Sequence, residues 1–302
     1  MKKFKQIILS FAIIVCVAFA SLVFVGCGKS KNSSMSTKNV YSMGMVSAAN
    51  YLSSTKSHNT VVSEQTKDTI KEYVQMFEGL LKNGLNPVES VPTEADGSDY
   101  ATYAKKLEIS AGGHTYSMYY NEVVEGTETE VDDEEIETET KSFLYGKVVT
   151  ILNNESVVYN VVGTREIESE KKKDVVETEN EMKLLFTSDK LEVSSIRSFE
   201  NIDLKTLENY VLIEQETEKD EIEFEYTTKT GNRIKQVEIE LENEKGTVSL
   251  EVEIKENNVK TKYDIDKVSE NKYSIKVKEN KKYKTILYLE NNNDVWTYTN
   301  AE

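Results

Sequence analysis

Apolar and charged residues alternate along the C-terminal half of the chain, and this period of two constrains the fold more than any other feature. Ile222, Phe224 and Tyr226 alternate with glutamates, and the pattern recurs over 237–241 and 248–254. Such alternation is typical of strands with one dry and one wet face. Turn clusters follow every ten to fourteen residues, at Thr230-Gly231-Asn232, Glu244-Lys245-Gly246, Asn257-Asn258, Glu270-Asn271, Asn280-Lys281 and Asn292-Asn293. These intervals leave no room for crossover helices and predict an antiparallel meander.

Upstream of this region the alternation is less regular but still predicts strands, at Tyr103–Ser110, Thr115–Val124, Ser142–Leu152, Ser156–Gly163, Met182–Thr187 and Lys190–Ile196. The segment Arg197–Asn209 follows neither a strand nor a helix period, so we expect a short helix or a connection there, with a subdomain boundary near 197–209. The predicted fold class is mainly β (α+β), with an extended antiparallel β-meander over 100–302.

Two amphipathic helices are expected before the meander, as a helical pair over 41–84. In Tyr41–Ser54, the apolar residues Met45, Ala48, Ala49 and Leu52 fall on one face, and Ser63–Lys82 has the same kind of stripe. Residues 27–40 are rich in Ser, Asn and Lys and predict a flexible tether. The methionines of the first helix are expected to pack in a core.

The first 27 residues have the order of a secretory signal: three lysines by position 5, then an apolar run from Ile7 to Val25. Residues 22–27 resemble a bacterial lipobox, with Gly26 directly before Cys27. The resemblance implies removal of residues 1–26 and lipidation of Cys27 by a diacylglyceryl group, accompanied by palmitate-type acyl chains. The chain is then lipid-anchored on the extracytoplasmic face of the cell membrane. The alternative is an uncleaved transmembrane helix, because nineteen residues from Ile7 to Val25 are long enough to span a bilayer.

Three segments carry a family resemblance: YSMGMVSA at 41–48, YSMYYNE at 116–122 and YNVVGTREIE at 159–168. They are similar to segments of uncharacterised lipoproteins of low-GC Gram-positive bacteria, and the likeness covers most of the exported chain. It implies an envelope location and a β-rich body. It implies no activity, cofactor or catalytic residue.

The charge balance, 37 Lys and Arg against 53 Asp and Glu, gives a net charge of −16 and argues against nucleic acid as a partner. The densest acidic run, Glu122–Glu139, contains ten carboxylates and no Lys or Arg. We expect a solvated loop that attracts cations weakly, because it lacks the spacing that folds a loop around one calcium ion. The candidate residues for such weak cation binding are Asp132, Asp133, Glu134 and Glu135.

No catalytic motif accompanies the two histidines, His58 and His114, which both lie at predicted turns. We therefore expect no cofactor, no metal site and no catalysis. A meander that is dry on one side must fold on itself, be covered by helices or enclose a ligand. The sequence thus favours a binding or structural lipoprotein whose partners are the membrane, through its anchor, and an envelope protein or cell-wall component. A lipid carrier, with the sheet curled into an incomplete barrel and the helices as its lid, is the alternative, and an enzyme is the third.

Overall fold

The computed structural model describes one helix and one large sheet, together with most of the connections between strands. The described residues are 37–54, 87–111, 114–132, 135–152, 155–172, 175–193, 196, 198–218, 221–244, 247–256, 259–269, 271–279, 282–292 and 295–300. They belong to one compact unit. The predicted signal segment with Gly26 and Cys27, most of the predicted tether and the predicted second helix lie outside these ranges.

Helix α1 spans Thr37–Ser54, and fourteen strands follow it in chain order. The strands are β1 (Val88–Ser90), β2 (Lys105–Ala111), β3 (His114–Asp132), β4 (Glu135–Leu152), β5 (Glu155–Lys172), β6 (Val175–Thr187), β7 (Asn209–Glu218), β8 (Glu221–Thr230), β9 (Arg233–Glu244), β10 (Thr247–Glu256), β11 (Val259–Ser269), β12 (Lys272–Glu279), β13 (Lys282–Asn292) and β14 (Val295–Asn300). Single 3-10 turns lie at Glu94–Asp96 and Phe199–Asn201.

All fourteen strands form one sheet in which every strand pairs with its sequence neighbours, from β1 at one edge to β14 at the other. Each of the thirteen pairings is antiparallel, so the predicted meander is confirmed. The turn clusters predicted after residue 230 all fall between successive strands. The described strands leave the sheet open, because β1 and β14 have no ladder with each other.

One face of the sheet, called here the inner face, carries the main core. Helix α1 packs against β2, β3, β6 and β7 on this face. The predicted stripe of Met45, Ala48, Ala49 and Leu52 is buried, and so is every residue from 40 to 45. A helix with six consecutive buried residues is covered all round over that length, which goes further than the one-sided burial that the pattern predicts.

The helix begins four residues earlier than predicted, inside the expected tether. Its first turn is held by the sheet, because the Arg165 guanidinium donates to the Thr37 hydroxyl at 3.2 Å and Val40 is fully buried. These tertiary contacts stabilise the first turn of the helix, and they cannot be predicted from the local sequence pattern. In the described parts of the chain, no helix is long and apolar enough to cross a membrane.

A second, smaller core lies on the opposite face of the sheet, called here the outer face. Residues 188–208 cross this face between β6 and β7, and Val193, Phe199 and Leu207 pack there against Leu185 and Leu212. The predicted strand Lys190–Ile196 was therefore wrong: its apolar residues cover the outer face. The connection predicted over 197–209 is confirmed, although β6 and β7 pair directly across it and keep the sheet continuous.

The acidic run Glu122–Glu139 differs most from its prediction. It was expected to form a solvated loop, but it forms the distal halves of β3 and β4, which pair up to Asp132 and Glu135. Strands β5 and β6 extend alongside, up to Lys172 and Val175. The distal parts of these four strands, residues 127–140 and 166–179, are called here the arm.

Candidate functional site

The outer face of the arm carries glutamates in direct cross-strand register. In an antiparallel ladder, opposite residues share a face and their Cα atoms lie about 4.5–5.5 Å apart. Two adjacent rows each contain one glutamate from β3, β4, β5 and β6. The first row is Glu130, Glu137, Glu170 and Glu177, and the second is Glu128, Glu139, Glu168 and Glu179.

A third row continues the pattern across the central strands. It contains one glutamate from each strand from β6 to β10: Glu181, Glu216, Glu223, Glu240 and Glu251. A fourth row beside it contains Glu214, Glu225, Glu238 and Glu253, after Lys183 on β6. The outer face is thus a regular array of carboxylates, interrupted by the small core under residues 188–208.

Where the arm joins the central strands, the outer face forms a groove of about 580 Å³. The members of the third and fourth rows on β6, β7 and β8 form its floor, and Glu200 lies beside Phe199 on the connection that crosses the face. Two cationic residues of the outer face, Lys141 and Lys183, also line it. The eight glutamates of the lining are Glu125, Glu166, Glu181, Glu200, Glu214, Glu216, Glu223 and Glu225.

Partial desolvation and neighbouring charges shift the pKa values of several carboxyls along the array. Partial desolvation, followed by the repulsion of Glu137 and Glu179, raises the pKa of Glu168. Partial desolvation and the neighbouring Glu139 raise the pKa of Glu166. The pKa of Glu139 is lowered instead, because its carboxylate accepts a hydrogen bond from Lys141, with Nζ 2.6 Å from Oε1. The two carboxyls therefore titrate apart, although Lys141 lies near both of them.

On the inner face, a cluster of charged and aromatic side chains holds the start of α1. Glu122 accepts from Arg165 at 2.6 Å and from Lys105 at 2.9 Å, with only 10% of its side chain exposed. The rings of Tyr41 and Tyr120 meet edge to face, with centroids 5.6 Å apart. Burial raises the pKa of both tyrosines. This cluster joins α1 to the sheet through ion pairs and a ring contact.

The predicted cation-binding residues lie at the tip of the arm, as far as the structure describes them. Asp132 and Glu135 are paired opposite each other, while Asp133 and Glu134 lie outside the described residues. Glu135 is engaged in an ion pair, with Lys172 Nζ 3.0 Å from its Oε1. Among the described side chains, no group of three His, Cys, Asp or Glu could hold a metal ion. His114 is exposed and lies at the start of β3, with Nδ1 3.2 Å from the Ile151 carbonyl oxygen.

The glutamate rows themselves were not predicted, although part of their signal is in the sequence. Glutamates alternate with β-branched residues in Glu128-Thr129-Glu130-Val131 and in Ile136-Glu137-Thr138-Glu139-Thr140. That is a strand pattern with a charged face and a hydroxyl face. Local patterns do not predict the register between two strands. In β3, a bulge between Val124 and Gly126 shifts the pairing with β4.

Comparison with known proteins provides no relative from which a function could be transferred: no protein-family model matches the chain, and neither a curated protein nor a solved structure is similar to it. The case for a function therefore depends on the chemistry of the two faces of the sheet. The inner face is closed by α1 over the contacts described above, whereas the outer face presents charge to solvent.

Proposed function

We propose that the chain is a membrane-tethered, extracytoplasmic lipoprotein with a non-catalytic binding or structural role in the cell envelope. Its outer face would engage a cationic envelope component, either a protein or part of the cell wall. The observation that carries this proposal is the register of the glutamate rows, which place like charges directly opposite one another on consecutive strands.

Directly opposed like charges destabilise a sheet, because the carboxylates of each pair repel each other across about 5 Å. Lysines offset part of this repulsion, since Lys141 pairs with Glu139 and Lys172 with Glu170. A cationic partner spread over the face would relieve this repulsion at many points at once. The attraction is delocalised, so it needs no cage of ligands around a single ion. This agrees with the weak cation attraction expected from the sequence and broadens it from the arm tip to most of the outer face.

The carrier hypothesis requires an apolar void, lined by residues such as Ile, Leu, Val and Tyr, that is large enough for a lipid. The groove of about 580 Å³ is lined mainly by glutamates and lysines. It is suited to a polar, cationic partner, and it gives no support to a hydrophobic guest.

The test is to neutralise one glutamate row and measure binding to poly-L-lysine as the cationic probe. Changing Glu130, Glu137, Glu170 and Glu177 to Gln should weaken binding about tenfold at low salt, since each exposed pair contributes up to about 1 kcal/mol. The matched control lies on the opposite face of the same strands, in the row Thr129, Thr138, Ser169 and Thr178. Changing that row to Asn should leave binding unchanged. Equal affinity of the two variants would contradict the proposal.

The physiological partner is sought with the same variants. Envelope extract from the native host is passed over the wild-type chain, the glutamine variant and the hydroxyl-row control. A partner of the outer face is retained by the wild type and the control and is lost from the glutamine variant. Retention of the same components by all three would place the binding surface elsewhere.

The lipid anchor has its own test, because it depends on Cys27 alone. Metabolic labelling with a fatty acid should label the wild type and should not label Cys27→Ser. Label that persists in the mutant would contradict lipidation at this residue, and the binding proposal for the outer face would still stand.

A further inference from the structure

The two edges of the sheet are built differently. Strand β1 has three residues, lies between Pro87 and Pro92, and contains Glu89, whose carboxylate accepts from the Tyr120 hydroxyl at 3.2 Å. Short length, nearby prolines and charge are the devices that keep an edge strand from pairing with another chain. The β1 edge is therefore protected.

Strand β14 has none of these devices. Its six residues, VWTYTN, pair with β13 along their whole length, from Val295 to Asn300. It is the one described strand that contains no Asp, Glu, Lys or Arg. It also contains no proline, and its valine, threonines and aromatics favour strands. Among the described strands, none pairs with the far side of β14.

We propose that β14 pairs antiparallel with β14 of a second copy of this chain, about a two-fold axis through the middle of the strand. The two sheets then become one continuous sheet. Because the other edge is protected, the contact closes on a dimer and does not propagate into a fibre.

The charge distribution favours this edge as the place where two acidic chains can meet. Strands β12 and β13 carry five lysines against two glutamates. The glutamate rows end on β10, and Asp264 on β11 continues the third row to three strands from the edge. At about 4.8 Å per strand, pairing at β14 keeps the carboxylate rows of the two copies about 30 Å apart along the sheet, well beyond the screening length of about 8 Å in physiological salt. Contact between outer faces would instead oppose glutamate to glutamate.

Disulfide crosslinking in membranes of the native host tests the geometry on the full chain. Cysteine is placed singly at 296, 297, 298 or 299, with Ser90→Cys on the exposed β1 edge as the matched control. Cα atoms facing each other across a two-fold in an antiparallel pair lie about 5 Å apart, within the range that a disulfide spans. We expect a dimer at one central position, about tenfold more abundant than with Ser90→Cys.

A second variant separates pairing from chance collisions. Thr299 is exposed, so adding Thr299→Lys to the best crosslinking variant places a charge on the edge without disturbing a core. The dimer should then fall about tenfold, while the melting temperature stays that of the parent. The proposal would be overturned if none of the four positions on β14 crosslinked above the Ser90→Cys level. A crosslinked species with the mass of a different protein would overturn it too, by identifying a partner's strand as the occupant.

Discussion

Gly44 on α1 lies where the helix comes closest to the sheet, and replacing it with alanine tests that approach. A Cβ atom at this position would lie 2.7 Å from Cε2 and Cζ of Phe186 and 3.3 Å from Cδ1 of Ile213. Phe186 is fully buried, so its ring has no free space into which to move. Forcing a methyl group into a packed core costs about 1–3 kcal/mol, whereas alanine in place of glycine inside a helix gains about 1 kcal/mol. We therefore expect Gly44→Ala to lower the free energy of unfolding by about 1 kcal/mol, within a range of about 0–2.

The assay is urea denaturation followed by circular dichroism, combined with a double-mutant cycle. Phe186→Leu removes the ring atoms that the new methyl group would meet, so the double mutant should be more stable than the sum of the single changes by at least about 0.5 kcal/mol. Gly126→Ala on β3 is the matched control. Its Cβ would meet nothing within 4 Å, and we expect a gain of about 0.5 kcal/mol. If Gly44→Ala stabilised the chain by the full helix-propensity gain and showed no coupling to Phe186, the close packing of α1 on the sheet would be refuted.

Three further predictions concern charges. Arg165→Met leaves the buried carboxylate of Glu122 with one cation fewer. We expect the free energy of unfolding, measured by urea denaturation, to fall by about 1–3 kcal/mol. An unchanged free energy of unfolding would mean that Lys105 alone is enough to stabilise this carboxylate. The pKa of Glu166 is raised in the folded chain, so its destabilising effect is absent below the unfolded pKa and appears as the pH rises through the folded pKa. Glu166→Gln should therefore raise the free energy of unfolding at pH 7.5 and leave it unchanged at pH 3, and the reverse order would contradict the assignment. Raising NaCl from about 0.01 to 0.5 M shortens the screening length from about 30 Å to about 4 Å. This should raise the melting temperature of the wild type more than that of the four-glutamine arm variant. Equal shifts would show that repulsion within the rows has no measurable effect on stability.

The strands from β8 to β10 were predictable because each keeps a regular alternation between two turn clusters, whereas bulges interrupt the pairing of β12 with both of its neighbours. Ile222, Phe224 and Tyr226 all lie buried on the inner face, as the period of two requires. Met43 and Met45 are likewise fully buried in the core, as expected. In these segments, local pattern and tertiary burial agree, so the element and its buried face can both be inferred from the residues.

The arm was less predictable, because a run of carboxylates hides a period of two. Thr129 and Thr138 mark the alternation, but the density of charge favoured a solvated loop. The array also depends on register, which is a property of pairs of strands. The bulge between Val124 and Gly126 sets which glutamate of β3 faces which glutamate of β4. Only the first part of the connection between β6 and β7 was predicted wrongly, as the strand Lys190–Ile196. Its apolar residues resemble those of a strand, but Val193 packs in the small core on the outer face.

The most direct test of a binding role on the outer face is native mass spectrometry of the protein purified from its own host, with solvent extraction of whatever accompanies it. We expect that no hydrophobic mass is bound, and that any accompanying component is cationic and dissociates as the salt concentration rises. A discrete hydrophobic molecule that stays bound at high salt would contradict this interpretation and would favour a carrier, with its ligand held on the apolar side of the sheet.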